Sequence, residues 1–141
     1  MVDLQTYSDG GSRGNPGPAA YGFVVLEKNG SVLFEQGKTI GISTNNIAEY
    51  SGVIAAFTWI DNNIPHETIN TLEVFLDSEL VARQLSGQYK VKNETLRNLF
   101  HTVKQKEQSI GVSVIYTSIP REKNKQADRL VNIALDNETM F

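Results

Sequence analysis

The 141-residue chain contains no cysteine, which excludes disulfides and any metal site built on thiolates. Its two histidines, His66 and His101, are too far apart for ligands on adjacent helical turns, so zinc has no imidazole pair to build on. No apolar run approaches the ~20 residues of a membrane span. The opening "MVDLQTYSD" lacks the basic and apolar regions of a secretory leader. These absences predict a soluble, cytoplasmic protein without membrane contact. Any metal it uses must be a hard cation, Mg²⁺ or Mn²⁺, held by carboxylate oxygens.

What is present fits one globular domain over residues 1–141, with 40% hydrophobic and 21% charged residues. The net charge is −3, unevenly spread. Residues 1–82 carry three basic and ten acidic groups, whereas residues 83–129 carry ten basic and four acidic ones. Such a basic block is either a solvated helical face or a surface that meets phosphates.

The pattern alternates strand and helix. "LQTYSD" (Leu4 to Asp9) reads as a short strand that ends on an acid before the Gly/Pro-rich turn "GGSRGNPGP". "AAYGFVVLE" reads as a second strand, and "KNGS" as a hairpin turn into a third, "VLFEQGKTIG". "NNIAEYSGVIAAFTWIDNN" is long enough to be a helix, broken by Pro65. "LEVFLD" (Leu72 to Asp77) is a strand running into the short helix "SELVARQLSG". "NETLRNLFHTVKQKEQ" has Leu96, Leu99, Phe100 and Val103 at helical spacing. "VSVIYTSI" reads as a strand covered on both faces, and "KNKQADRLVNIAL" as a closing amphipathic helix. Helix-connected strands imply parallel pairing, right-handed crossovers and helices on both sheet faces, so the fold class is α/β.

Four acids fall at element ends: Asp9, Glu49 in the first turn of the long helix, Asp77, and Asp128 in the last helix. Each has an ordinary role open to it. Asp9 could form a turn, Glu49 could complete a capping box begun by Asn46, Asp77 could cap the next helix, and Asp128 could be a surface charge. Taken together they suggest more, because ligands bind open α/β sheets at the carboxyl ends of the strands. Acids that converge there without bases repel one another, and a divalent cation relieves the repulsion.

The stretches "SDGGSRGNPGPAAYGFVV", "STNNIAEYSGVIAA", "LDSELVARQLSGQYKVKN" and "IPREKNKQADRLVNIALD" resemble, in order, the four motif regions of type 1 ribonuclease H. The likeness is to its compact archaeal and bacterial forms, which lack a basic protrusion. The resemblance implies the ribonuclease H-like fold: a five-stranded mixed sheet, strands one to three antiparallel and strands one, four and five parallel. It also implies a site of Asp9, Glu49, Asp77 and Asp128 holding two Mg²⁺ ions, with Mn²⁺ as a substitute. The implied reaction is hydrolysis of the RNA strand of RNA/DNA hybrids, leaving 3′-hydroxyl and 5′-phosphate ends.

By the same resemblance, Gly10 and Asn15 meet the RNA strand and Thr44 a DNA phosphate, while Asn45 and Asn46 enter the minor groove. Plain helix capping is the other reading of those asparagines. Lys90 and Lys92 track the DNA backbone or lie in a solvated loop. A monomer with no obligatory protein partner is expected. Many relatives carry a histidine in the loop before the last helix; "SIPREKNKQAD" has none, and Arg121 lies near its place. No separate hybrid-binding domain is expected. The rival accounts are a hybrid-binding module that does not cut, and another nuclease of the same fold. An exonuclease would want Asp-x-Glu on the first strand, where Gly10 and Gly11 follow Asp9. A domain detached from a reverse transcriptase would share the chemistry.

Overall fold

The computed structural model describes residues 1–139. Strands β1 (Val2–Ser12), β2 (Gly17–Glu27) and β3 (Val32–Ser43) form an antiparallel meander, since connections of four residues leave room only for hairpins. Helix α1 (Asn45–Asn63) carries the chain back, so that β4 (Ile69–Leu76) runs parallel to β1. Helices α2 (Glu79–Leu85) and α3 (Glu94–Ile110) make the next return, and β5 (Val114–Ser118) pairs parallel to β4. Helix α4 (Lys125–Thr139) follows. The sheet order is β3-β2-β1-β4-β5, the mixed pattern expected.

The two faces are covered differently. On one, Leu4, Phe23, Leu72 and Val74 meet Val53, Phe57 and Ile60 of α1, with Val103 of α3 behind them. On the other, α4 lies across β1, β2 and β3 and buries Val131 and Leu135 against Ala20. It comes so close that a Cβ on Gly22 would stand 2.6 Å from the carbonyl oxygen of Ala127. Only glycine admits the helix at that distance.

Several expectations are corrected. Strand β1 does not end at Asp9 but runs on to Ser12, because its antiparallel pairing with β2 continues to Ser12 and Ala19. What stops beside Asp9 is the parallel pairing with β4, whose last pair is Ser8 with Leu76. Strand β4 begins at Ile69, three residues before Leu72. Strand β5 is not covered on both faces: it is an edge strand, α4 packs chiefly on β1, β2 and β3, and Ile115 is 59% exposed.

The ordinary roles open to two of the acids are taken by other residues. Helix α1 is capped by Thr44, whose Oγ1 accepts the Ile47 N–H at 3.3 Å. Glu49 therefore lies one turn inside the helix and completes no capping box. Helix α2 is capped by Ser78, whose Oγ accepts the Val81 N–H at 3.2 Å, which leaves Asp77 outside the cap.

Candidate active site

Asp9 and Asp77 reach the same edge because β1 and β4 are parallel neighbours, and Asp77 is the first residue beyond β4. Helix α1 brings Glu49 to them by resting on Gly10. A Cβ there would lie 2.2 Å from the carbonyl carbon of Ala48 and 2.4 Å from the nitrogen of Glu49. Gly10 is thus the seat of the helix that carries an acid, a different reason for glycine from close approach to a sugar-phosphate chain.

Carboxylate oxygens of Asp9, Glu49 and Asp77 lie within 4.8 Å of one another. Asp9 and Glu49 are each only 5% exposed. Burial first, and then the charge of Asp77, push the Asp9 carboxyl up to about 7. Burial and the neighbouring Asp9 raise Glu49 well above the carboxylate range, against the pull of the Gly10 backbone N–H. Asp128, in the first turn of α4, bears on Asp9 in the same direction. The Oε2 of Glu49 is buried without a hydrogen-bond partner. Hard, converging oxygens with one orphaned lone-pair site match the donor set of Mg²⁺ or Mn²⁺.

The acids open into a cleft of about 560 Å³. Asp128, Gly10, Asn45, Asn46, Arg13 and Arg121 also line it.

A family model described as reverse transcriptase-like matches residues 7–134. The structure superposes on that of LC11-RNase H1, isolated from compost, with a TM-score of 0.91, 40% identity and 99% of both chains covered. The chain belongs to the type 1 ribonuclease H family. It is 44% identical over 130 residues to the bifunctional protein Rv2228c of Mycobacterium tuberculosis, covering 92% of this chain and 34% of that protein. It is 39% identical over 135 residues to ribonuclease HI of Halobacterium salinarum, covering 95% of this chain and 65% of the relative. The chain therefore spans about a third of the mycobacterial relative and just under two thirds of the halobacterial one. LC11-RNase H1 has also been solved in complex with an RNA/DNA hybrid; that structure is 39% identical, with 96% and 99% of the chains covered and a TM-score of 0.87.

Within this ribonuclease H fold, the start of α1 is stitched to the turn at residues 13–16. The Asn45 N–H donates to Asn15 Oδ1 at 3.0 Å, and Asn45 Oδ1 accepts the Ser12 N–H at 2.8 Å. The amide oxygens of Asn15 and Asn45 are therefore occupied within the protein, while both residues stay exposed and keep their amide N–H groups for a ligand. Lys90 and Lys92 are exposed in the loop between α2 and α3 and do not line the cleft. Arg97 holds that loop through the carbonyls of Val91 and Lys92, at 3.2 and 2.9 Å. Arg121 reaches the cleft from a 3₁₀ turn, Arg121–Lys123.

Sequence reasoning missed Asn124, which is 1% exposed. Its Nδ2 donates to the Ser8 carbonyl at 2.9 Å and to Asp77 Oδ2 at 3.1 Å. Its backbone carbonyl accepts the Asp128 N–H at 3.1 Å. One residue thus ties together the elements that present Asp9, Asp77 and Asp128. The available signal was an asparagine at the start of an amphipathic helix, four residues before an acid, and it does not disclose a partner more than a hundred residues away.

Proposed function

We infer that the chain is a metal-dependent ribonuclease that hydrolyses the RNA strand of RNA/DNA hybrids, leaving 3′-hydroxyl and 5′-phosphate ends. The observation that carries this reading is the trio of carboxylates within 4.8 Å of one another, with the buried Glu49 Oε2 unpartnered. Acids held this close repel, and a fold keeps them so where a cation offsets the cost. Kinship supports the substrate, since LC11-RNase H1 has been solved with an RNA/DNA hybrid.

Asp9, Glu49, Asp77 and Asp128 would hold two Mg²⁺ ions, or Mn²⁺ in their place. When bound, such ions supply Lewis acidity and charge neutralisation for an in-line displacement at phosphorus. The residues contribute placement. Asp9 and Asp77 come from adjacent strands fixed by the sheet, Glu49 from a helix seated on Gly10, and Asp128 from α4 anchored through Asn124. With the cleft occupied by cations, the four acids would stay ionised.

The exposed amide groups of Asn15 and Asn45, with the half-buried Asn46 beside them, are suited to the 2′-hydroxyls and base edges of a wide minor groove, the features that mark an A-like strand. Thr44 serves first as a helix cap. By the family resemblance it would lie near the path of the DNA strand, and Gly10 would lie near the RNA strand. Lys90 and Lys92 would contribute at a distance, as charges along the DNA backbone. Residues 1–141 would act as one catalytic domain, a cytoplasmic monomer without an obligatory protein partner.

The test is cleavage of an end-labelled RNA/DNA hybrid with Mg²⁺, beside EDTA and Asp77→Asn controls. Cutting of the RNA strand that requires both the metal and Asp77 is the expected result. A hybrid that is bound but stays whole in Mg²⁺ and in Mn²⁺ would sink the nuclease reading and leave a binding module.

A further inference from the structure

Two cationic side chains line the acidic cleft, Arg13 and Arg121. Arg121 comes from the 3₁₀ turn before α4. Arg13, in the turn after β1, has no role in the account above. Its Nη2 lies 2.6 Å from Oδ1 of Asp136, with the two side chains 42% and 62% exposed. Asp136 follows Leu135 on α4, and Leu135 lines the same cleft, so the ion pair joins the two walls at the rim.

The two halves of Arg13 differ in freedom. Its backbone is fixed: the Arg13 N–H donates to the Pro18 carbonyl at 2.8 Å. The adjacent Ser12 is held by Asn45 Oδ1 at 2.8 Å and by the Ser43 carbonyl at 2.9 Å. The guanidinium is held by an exposed ion pair, a class that contributes little to stability. Such a pair is readily exchanged for a better acceptor. A phosphodiester presents two oxygens that match the guanidinium fork, and a nucleic-acid strand entering a cleft of four acids needs fixed positive charge at its wall.

We propose that Arg13 is a substrate-binding residue held in reserve by Asp136: when a hybrid enters the cleft, the guanidinium leaves the carboxylate for a backbone phosphate of the strand in the cleft. The inference rests on the hybrid reading given above. Asp136 is then an internal competitor that weakens binding until a phosphate displaces it.

The experiment measures KM for hybrid cleavage in Mg²⁺ between about 50 and 200 mM salt. It uses the parent, Arg13→Ala, Arg13→Gln, Asp136→Asn and the Arg13→Ala/Asp136→Asn double variant, each checked for folding by thermal unfolding. Removing Arg13 raises KM roughly tenfold at low salt, the scale of one charged hydrogen bond, and flattens the salt slope by about one. Asp136→Asn lowers KM by about two- to fivefold, the worth of an exposed ion pair, and this gain vanishes when Arg13 is absent. A salt slope unchanged in both Arg13 variants, or an Asp136→Asn gain that persists without Arg13, overturns the proposal while hybrid cleavage by the parent stands. A parent that neither binds nor cuts hybrid removes the underlying reading, and this proposal with it.

Discussion

The two ends of α1 each carry a carboxylate turned into the protein, and the fold treats them in opposite ways. Near the C-terminal end, Asp61 is matched: His66 Nε2 lies 2.7 Å from its Oδ1, and Ser109 Oγ donates to both oxygens at 3.1 and 2.9 Å. Near the N-terminal end, Glu49 is crowded by Asp9 and Asp77 and keeps one oxygen without a partner. Glu107 on α3 follows the first pattern, accepting from Lys104 Nζ at 3.1 Å and from the Tyr116 hydroxyl. Where stability alone governs, this chain surrounds a carboxylate with donors. Where it gathers acids it supplies fewer donors, Asn124 to Asp77 and the Gly10 N–H to Glu49, and leaves Glu49 Oε2 unmet, an arrangement that a cation would relieve.

The largest effect that could break this contrast is on activity. Asp77→Asn should abolish hybrid cleavage, a loss of at least about a thousandfold, since several kcal/mol of charge stabilisation depends on the metal site. The gel assay with Mg²⁺ reads it directly, and residual cutting within tenfold of the parent would remove Asp77 from the site.

Next in size is stability, where the two ends of the helix should answer with opposite signs. Asp61→Ala removes the bonds from Ser109 and the ion pair with His66, both at the partly exposed edge of the helix, and should cost about 0.5–1.5 kcal/mol. At alkaline pH, Glu49→Gln removes a charge from the acidic trio and should raise the unfolding temperature of the metal-free protein. Thermal unfolding in EDTA measures both. A fall in Tm for Glu49→Gln would mean that the acids are not strained.

A smaller effect sharpens the same point through pH. In the metal-free folded chain the Asp9 carboxyl is pushed up to about 7 from an ordinary value of 3.8. Between those values the folded state holds a proton that the unfolded state has released. The stability contributed by neutral Asp9 is thus complete below 3.8 and lost as pH rises through about 7. Unfolding in EDTA across this range should show that decline, and Asp9→Asn should flatten it. Mg²⁺ held by these acids would bind their ionised form, so its stabilising effect should be greatest above pH 7. A Tm that Mg²⁺ leaves unmoved at pH 8 would contradict a metal site here.

The acids were legible in the sequence and their partners were not, for a physical reason. Asp77 follows an apolar strand and Glu49 lies one turn inside a long helix, so their placement follows from short-range periodicity. Asn124 earns its role from Ser8 and Asp77, and Gly10 from a helix that begins 35 residues later; neither relation exists until the sheet is assembled. The helices were readable because their apolar spacing and breakers are local. The true end of β1 was hidden because "DGGS" has poor strand propensity, and only the pairing with β2 keeps it extended. The exposed face of β5 was hidden for a related cause. "VSVIYTSI" is apolar on both alternations, and only the position of α4 over the other half of the sheet decides which face stays bare.

The smallest expected effect concerns the other charged region, the loop bearing Lys90 and Lys92. Unlike the cleft, it is exposed and built of like positive charges, with its backbone held by Arg97. Charges placed this way act on a polyanion through screened attraction, which salt removes. Replacing both lysines with alanine should therefore weaken hybrid binding by less than about tenfold at low salt and flatten the salt slope by about one to two. The weakening should disappear at high salt, where counterions already compete with the lysines. An Asp77→Asn defect should persist at every salt concentration, because a buried carboxylate site is poorly screened. If the two variants shared one salt dependence, the basic loop and the acidic cleft could no longer be regarded as separate devices. A slope unaffected by the lysine replacements would mark the loop as a solvated connection between α2 and α3.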